Sequence, residues 1–172
     1  KLSGALPAID GSALTGMSAG KVLQVVSTDY STVSSTTSSV GVSISGFAAT
    51  ITPSSTSSKI LVMVAAGIGA DSSNAYPFIL VKRNGTSIST GTLASGNQIN
   101  VFLGVGSGSA YSLDSAGKNY LDSPSSTSAL TYQVYLGTGW GGTALLNRTS
   151  LTSNAGYVQY PTSTITLMEI GA

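Results

Sequence analysis

The chain contains no histidine and no cysteine among its 172 residues. The first absence removes the commonest general base, the commonest metal ligand and the side chain that titrates near neutral pH. The second excludes disulfides and thiolate metal sites. Charge is scarce too. Asp, Glu, Lys and Arg make up 8% of the chain, against about 25% in an average soluble domain. Seven basic and six acidic residues leave a net charge of +1. The clustered cations that neutralise phosphates are missing, so no nucleic-acid partner is expected. The single adjacent basic pair is Lys82-Arg83. The longest apolar run, residues 60–70, falls short of the roughly 18 residues of a membrane helix, so no membrane insertion is expected.

What is there is polar without being charged. Ser and Thr make up about 30% of the chain, glycine contributes 21 residues and apolar side chains 41%. Disordered chains combine low hydrophobicity with high charge. Here the apolar residues fall in discrete runs, which predicts a folded domain. A surface with so few charges also points to self-association, because burial against copies lessens the need for charge.

Residues 1–19 are rich in small residues, with neither helical nor strand periodicity. They read as a shaft or linker segment. Leu6, Ile9, Leu14 and Met17 are candidates to line an axis shared with identical neighbours; the alternative is a flexible linker. From residue 20 to 172 the pattern is that of one β domain. Strands are predicted at 20–30, at 40–52 with Val40, Val42 and Ile44 on one face, and at 59–70 as a central strand buried on both faces. Another begins at Phe78, and Asn84-Gly85 is a strong hairpin signal. Further strands are predicted at 98–105, with Ile99, Val101 and Leu103 alternating, and at 119–123, 130–138, 143–149 and 163–170. Residues 106–119 read as irregular. Eight to ten short strands, turn signals every 8–15 residues and no convincing helix predict an all-β fold. The preferred form is an antiparallel β-sandwich, jelly-roll-like, following the N-terminal shaft segment.

No catalytic, cofactor-binding or metal-ligating set emerges. The acidic residues are Asp10, Asp29, Asp71, Asp114, Asp122 and Glu169. Most fall in predicted turns, where Asp bonds the local backbone. Asp114 and Asp122 flank one irregular stretch and are the pair best placed to hold a hard cation. Glu169, near the end of the last strand, is expected to pair with a Lys or Arg. Ser18-Ala19-Gly20-Lys21 has the bare Ser-x-x-Lys spacing, but a Ser-rich chain produces it by chance. Asn84-Gly85-Thr86 and Asn147-Arg148-Thr149 match the glycosylation sequon. Trp140 is the one tryptophan and lies in a Gly-Trp-Gly-Gly loop. There it either stacks on a sugar ring or folds back as a lid. Tyr76, Tyr111, Tyr120, Tyr157 and Tyr160 lie in or beside predicted loops. Tyrosine offers amphipathic contact area at low entropic cost. Tyr76, Tyr111, Trp140 and Tyr157 are therefore the candidate surface-contact residues.

Several segments together resemble the C-terminal parts of fibre proteins of tailed bacteriophages, those of marine phages especially. LPAIDGSALTG at 6–16 looks like a shaft that precedes a head. GKVLQVVST at 20–28 looks like the opening strand, and ATITPSSTSSKILVMV at 49–64 like a central pair. YLDSPSSTSALTYQVYL at 120–136 and STITLMEIGA at 163–172 look like closing strands. The resemblance covers most of the chain in the expected order. None of its motifs is catalytic, and no binding residue carries over. It implies a homotrimeric fibre ending in a knob on the surface of a virion, joined to other virion proteins and touching a host surface glycan or protein. Three other functions compete with host attachment. One is a purely structural head fibre, decoration protein or adaptor. The second is a non-viral extracellular adhesin or carbohydrate-binding module. The third is a glycan depolymerase, disfavoured by the missing histidine and sparse carboxylates.

Overall fold

The computed structural model describes residues 20–92, 95–106, 112–156 and 158–171. Among them there is no helix. Eleven strands form two antiparallel sheets. They are β1 Val22–Tyr30, β2 Ser34–Thr36, β3 Val42–Ile51, β4 Lys59–Ala70, β5 Pro77–Arg83, β6 Thr86–Ser87, β7 Leu103–Gly104, β8 Leu113–Asp122, β9 Leu130–Thr138, β10 Ala144–Leu146 and β11 Ser163–Ile170. In the first sheet β1 pairs with β11, β11 with β4, and β4 with β8 along its other edge. The short β10 pairs with the last residues of β4, past the end of the β11 ladder, and β2 pairs with β10. The second sheet runs β3, β9, β5, with β6 and β7 sharing the free edge of β5. Successive long strands swap sheets, and the closing strand β11 lies between β1 and β4. Two interlocked Greek keys of this kind make a jelly roll, as the sequence predicts.

The core sits between the sheets. Alternate residues of each strand point into it: Ile60, Val62 and Val64 from β4, Ile165 and Leu167 from β11, and Leu130, Tyr132, Val134 and Leu136 from β9. Tyr30 stacks on Phe47 with ring centroids 5.2 Å apart. The Asn84-Gly85 hairpin forms, with φ of 47° and 89° at its two central residues. Both values are positive, as a type I′ turn requires.

Four local expectations are corrected. Val40 and Val42 are exposed, because they stand at the open start of the edge strand β3, although Val42 shares the inward side with its partner Leu136. A separate irregularity lies just beyond them. Between the Ser43↔Tyr135 and Ala48↔Gln133 pairs, β3 advances five residues while β9 advances two. An odd excess moves the inward set from Ile44 to Phe47, Ala49 and Ile51. Gln133 closes the bulge, its Nε2 donating to the carbonyls of Ile44 and Phe47. Second, β8 begins at Leu113 rather than 119 and pairs with β4 over ten residues. Tyr120 lies within it, packed against the core. Third, of residues 98–105 only Leu103–Gly104 forms a ladder, and Phe102 is the side chain that is buried. Fourth, β4 is central, but its outer face is fully covered only toward its far end. Asn147, in one of the two sequons, is wholly buried. Its amide donates to the Tyr30 carbonyl at 2.6 Å and accepts from the Ser163 hydroxyl, so it is closed to a glycosylating enzyme.

The registers give the domain a direction. Val22 pairs with Ile170, and Ile170 with Lys59. Ile51 pairs with Leu130, and Arg83 with Tyr132. These residues mark one end, called the base. Residue 20 is there too, Gly20 N donating to the Gly171 carbonyl. Ala70, Pro77 and Thr138 mark the other, distal end.

Candidate functional site

Two loops and one irregular segment build a cleft at the distal end, on the outer side of the second sheet. Its volume is about 530 Å³, within the roughly 300–1,000 Å³ range of small-molecule sites. Pro77, Phe78, Val101 and Val105 provide apolar surface. Tyr76, Trp140 and Ile99 stand more exposed, and Asn74, Asn97, Gly104 and Gly139 complete the lining. Trp140 is 67% exposed and Tyr76 49%. The tryptophan is therefore no lid over the core. None of the eleven lining residues is charged.

Local chemistry fixes these loops. Buried Thr138, at the end of β9, accepts the Tyr76 N–H with its hydroxyl and donates that hydroxyl to the Trp140 carbonyl, both at 3.2 Å. Gly139 N donates to the Tyr76 carbonyl at 2.9 Å. The two aromatic-bearing loops are thus tied through one residue. Behind Trp140, Thr143 N donates to Asp71 Oδ1 at 2.7 Å. Burial alone would raise the Asp71 carboxyl, but hydrogen bonds from Thr143 and Ser72 outweigh it and hold the group below its ordinary value. Gly142 passes this carboxylate with φ of 87°, and a Cβ there would stand 2.8 Å from Oδ1. Only glycine suits both the dihedral and the space. The outer end of the Phe78 ring lies against Gly137, where a Cβ would fall 2.3 Å from Cζ. That glycine lets the ring sink into the cleft floor.

Of the sequence candidates, Tyr76 and Trp140 are brought together. They are 64 positions apart in the chain, and the β5–β9 pairing brings their loops side by side. Tyr111 and Tyr157 lie outside the described residues, as do the axis candidates Leu6, Ile9, Leu14 and Met17 and the whole of segment 1–19. Asp114 and Asp122 do not converge. They sit at opposite ends of β8, facing Ile68 and Ile60. No cluster of three or more His, Cys, Asp or Glu side chains occurs among the described residues.

The base holds two buried polar networks. Asp122 Oδ2 accepts from Arg83 Nη1 at 2.6 Å and from the Tyr132 hydroxyl at 2.7 Å. The first sheet is thereby bonded to the second. Burial, then the neighbouring Asp122, pushes the Tyr132 hydroxyl far above its ordinary value. Burial opposes the Arg83 charge, but Asp122 more than compensates. Glu169 is wholly buried, and its partner is not a cation. Its carboxylate accepts from Gln24 Nε2 at 2.6 Å, from Ser54 N at 2.7 Å and from Ser54 Oγ at 2.6 Å. Burial would raise this carboxyl, but the donated hydrogen bonds dominate and hold it at about 2. Ser58 Oγ adds to that field as a nearby dipole, although it meets no hydrogen-bond geometry of its own.

A second surface lies on the outer side of the first sheet, near the base. Val25, Met168, Leu61 and Leu121 are successive cross-strand partners on β1, β11, β4 and β8. They make an apolar row across the sheet, with Val25 54% and Leu121 47% exposed. Val22 and Leu23 extend the exposed apolar surface at the same end.

No protein-family model matches the chain, and no curated protein matches it either.

Proposed function

We propose that this chain is the knob of a virion appendage, a tail fibre or similar structure, working by adhesion rather than catalysis. In this reading it is homotrimeric, sits on the particle surface and presents its distal cleft to a host glycan or protein. The observation that carries the reading is polarity. Residue 20, where segment 1–19 joins, lies at the base, and the open aromatic cleft lies at the opposite end. A shaft-borne knob needs its contact surface farthest from its shaft.

Two further observations support it. The carboxylates Asp71, Asp122 and Glu169 are each engaged in local hydrogen bonds, which suits scaffolding better than acid–base work. The apolar row on the first sheet lies at the shaft end, where a second copy would continue an axis begun by residues 1–19. Exposed contiguous apolar surface of this kind favours protein contact.

Imaging virions with a gold-labelled antibody against the sandwich is the direct test. Label on a tail appendage is expected, together with binding of the free protein to cells those virions infect. Label on the capsid without cell binding would replace attachment by the decoration reading. In sedimentation the protein should run at three times the chain mass. Val25→Glu, which places a charge in the apolar row, should release folded monomers. A wild-type monomer would remove the trimer.

A further inference from the structure

We infer that the distal cleft takes a neutral saccharide, bound by stacking on Trp140 and Tyr76 and by hydrogen bonds to the Asn74 and Asn97 amides. The inference rests on the reading above, in which the distal end is the contact end, and it names the ligand class.

The argument starts from charge. An acidic saccharide such as a sialic or uronic acid needs a cation to offset the loss of water around its carboxylate. The cleft has none among its lining residues. The lysines of the adjoining strands are engaged elsewhere, and Lys82 lies toward the base. Lys118 Nζ donates to the Ser89 carbonyl at 2.8 Å and lies over the Phe102 ring, and Lys82 Nζ sits 4.4 Å above the Tyr135 ring. No carboxylate lines the cleft either, so a cationic ligand would find only the aromatic faces and no ion-pair partner.

Next comes surface type. A pyranose presents one face of C–H bonds and a rim of hydroxyls. The C–H face is apolar and flat, so it covers an aromatic ring without desolvating a polar group. Each hydroxyl both donates and accepts, and a carboxamide side chain also does both. Trp140 and Tyr76 supply exposed rings, and Asn74 and Asn97 place two amides at the exposed rim. Pro77 and Phe78, both buried, form a floor that excludes water beneath the sugar. A peptide partner is less well matched. Pairing with an extended peptide needs a free sheet edge, and the β5 edge beside the cleft is already occupied by β7.

The intact protein can be screened against immobilised oligosaccharides. Suitable neutral probes are oligomers of glucose, galactose and N-acetylglucosamine, and suitable acidic ones are sialylated and uronic-acid oligomers. Binding of at least one neutral probe is expected. Raising NaCl from about 0.05 to 0.5 M should leave it unchanged, because screening acts only on charged contacts. Trp140→Ala should weaken it by roughly tenfold or more, as loss of an aromatic anchor does, and Trp140→Phe by less. Preference for an acidic probe with salt-sensitive affinity would overturn the inference. So would unchanged binding by Trp140→Ala, or no saccharide bound while the protein still adheres to host cells. That last result leaves the attachment reading standing and gives the cleft to a protein receptor. Absence of both cell adhesion and saccharide binding would remove the attachment reading itself.

Discussion

At the base, Arg83, Asp122 and Tyr132 close one polar network, and Glu169, Gln24 and Ser54 close another. At the distal end, Trp140, Tyr76, Asn74 and Asn97 stand open around an uncharged cleft. The chain has few charges, and it buries two of its six carboxylates at the base. Buried ionic groups are costly unless fully bonded, and once bonded they resist rearrangement. The distal end relies on smaller polar contacts: the Thr138 hydroxyl between two loops, the Asp71 carboxylate on Thr143, and the Asn147 amide between Tyr30 and Ser163. The base closes its polar groups on one another, and the distal end leaves its own open around the cleft. One end must be rigid to define the sheets, and the other must leave its polar and aromatic groups available.

Breaking the base should have the largest effect. Asp122→Ala leaves the Arg83 charge and the Tyr132 hydroxyl unpaired between the sheets. A destabilisation of about 3–5 kcal/mol is expected, read by urea or thermal unfolding. The second network sharpens the comparison through pH. Glu169 has its carboxyl held at about 2 in the fold, against an ordinary 4.5. Its contribution is therefore complete above 4.5 and is lost as the pH falls from 4.5 through 2, on the order of 3 kcal/mol in total. Unfolding measured over that window should show the loss in the native protein and a much shallower one in Glu169→Gln. The smallest stability effect belongs to the distal end. Trp140→Ala removes an exposed side chain and should shift stability by no more than about 0.5 kcal/mol, while ligand retention collapses. A large loss of stability there would erase the distinction between the two ends.

The strands were legible where alternation is unbroken. Leu130, Tyr132, Val134 and Leu136 announce β9, and Asn84-Gly85 announces its hairpin. The same alternation places Glu169 in line with Ile165 and Leu167, yet the residue type points to a Lys or Arg partner instead of burial. Its partners could not be read, because a glutamate held by an amide and a serine leaves no local mark. β8 was partly missed because its inward residues include Lys118, whose ammonium reaches past the core edge to Ser89. The bulge that moves the inward set of β3 from Ile44 to Phe47 depends on the β9 register, which no local pattern contains. The cleft was half visible. Trp140 in its glycine-rich loop and Tyr76 in another could be singled out by type. That they line one cleft depends on the pairing of β5 with β9.

The antiparallel placement of β1 against β11 also determines how the domain bears mechanical load. Anchored through residue 20 and pulled at the distal cleft, β1 is drawn along its own axis. Its ladder to β11 runs from Val22 to Tyr30 with hydrogen bonds lying across that axis. Every bond in the ladder is then sheared together, and the force is divided among them. Pulling residue 20 away from residue 171 would peel the same two strands apart one bond at a time. A sandwich held at its base and tugged from its tip is loaded in the direction in which this edge strand is hardest to remove.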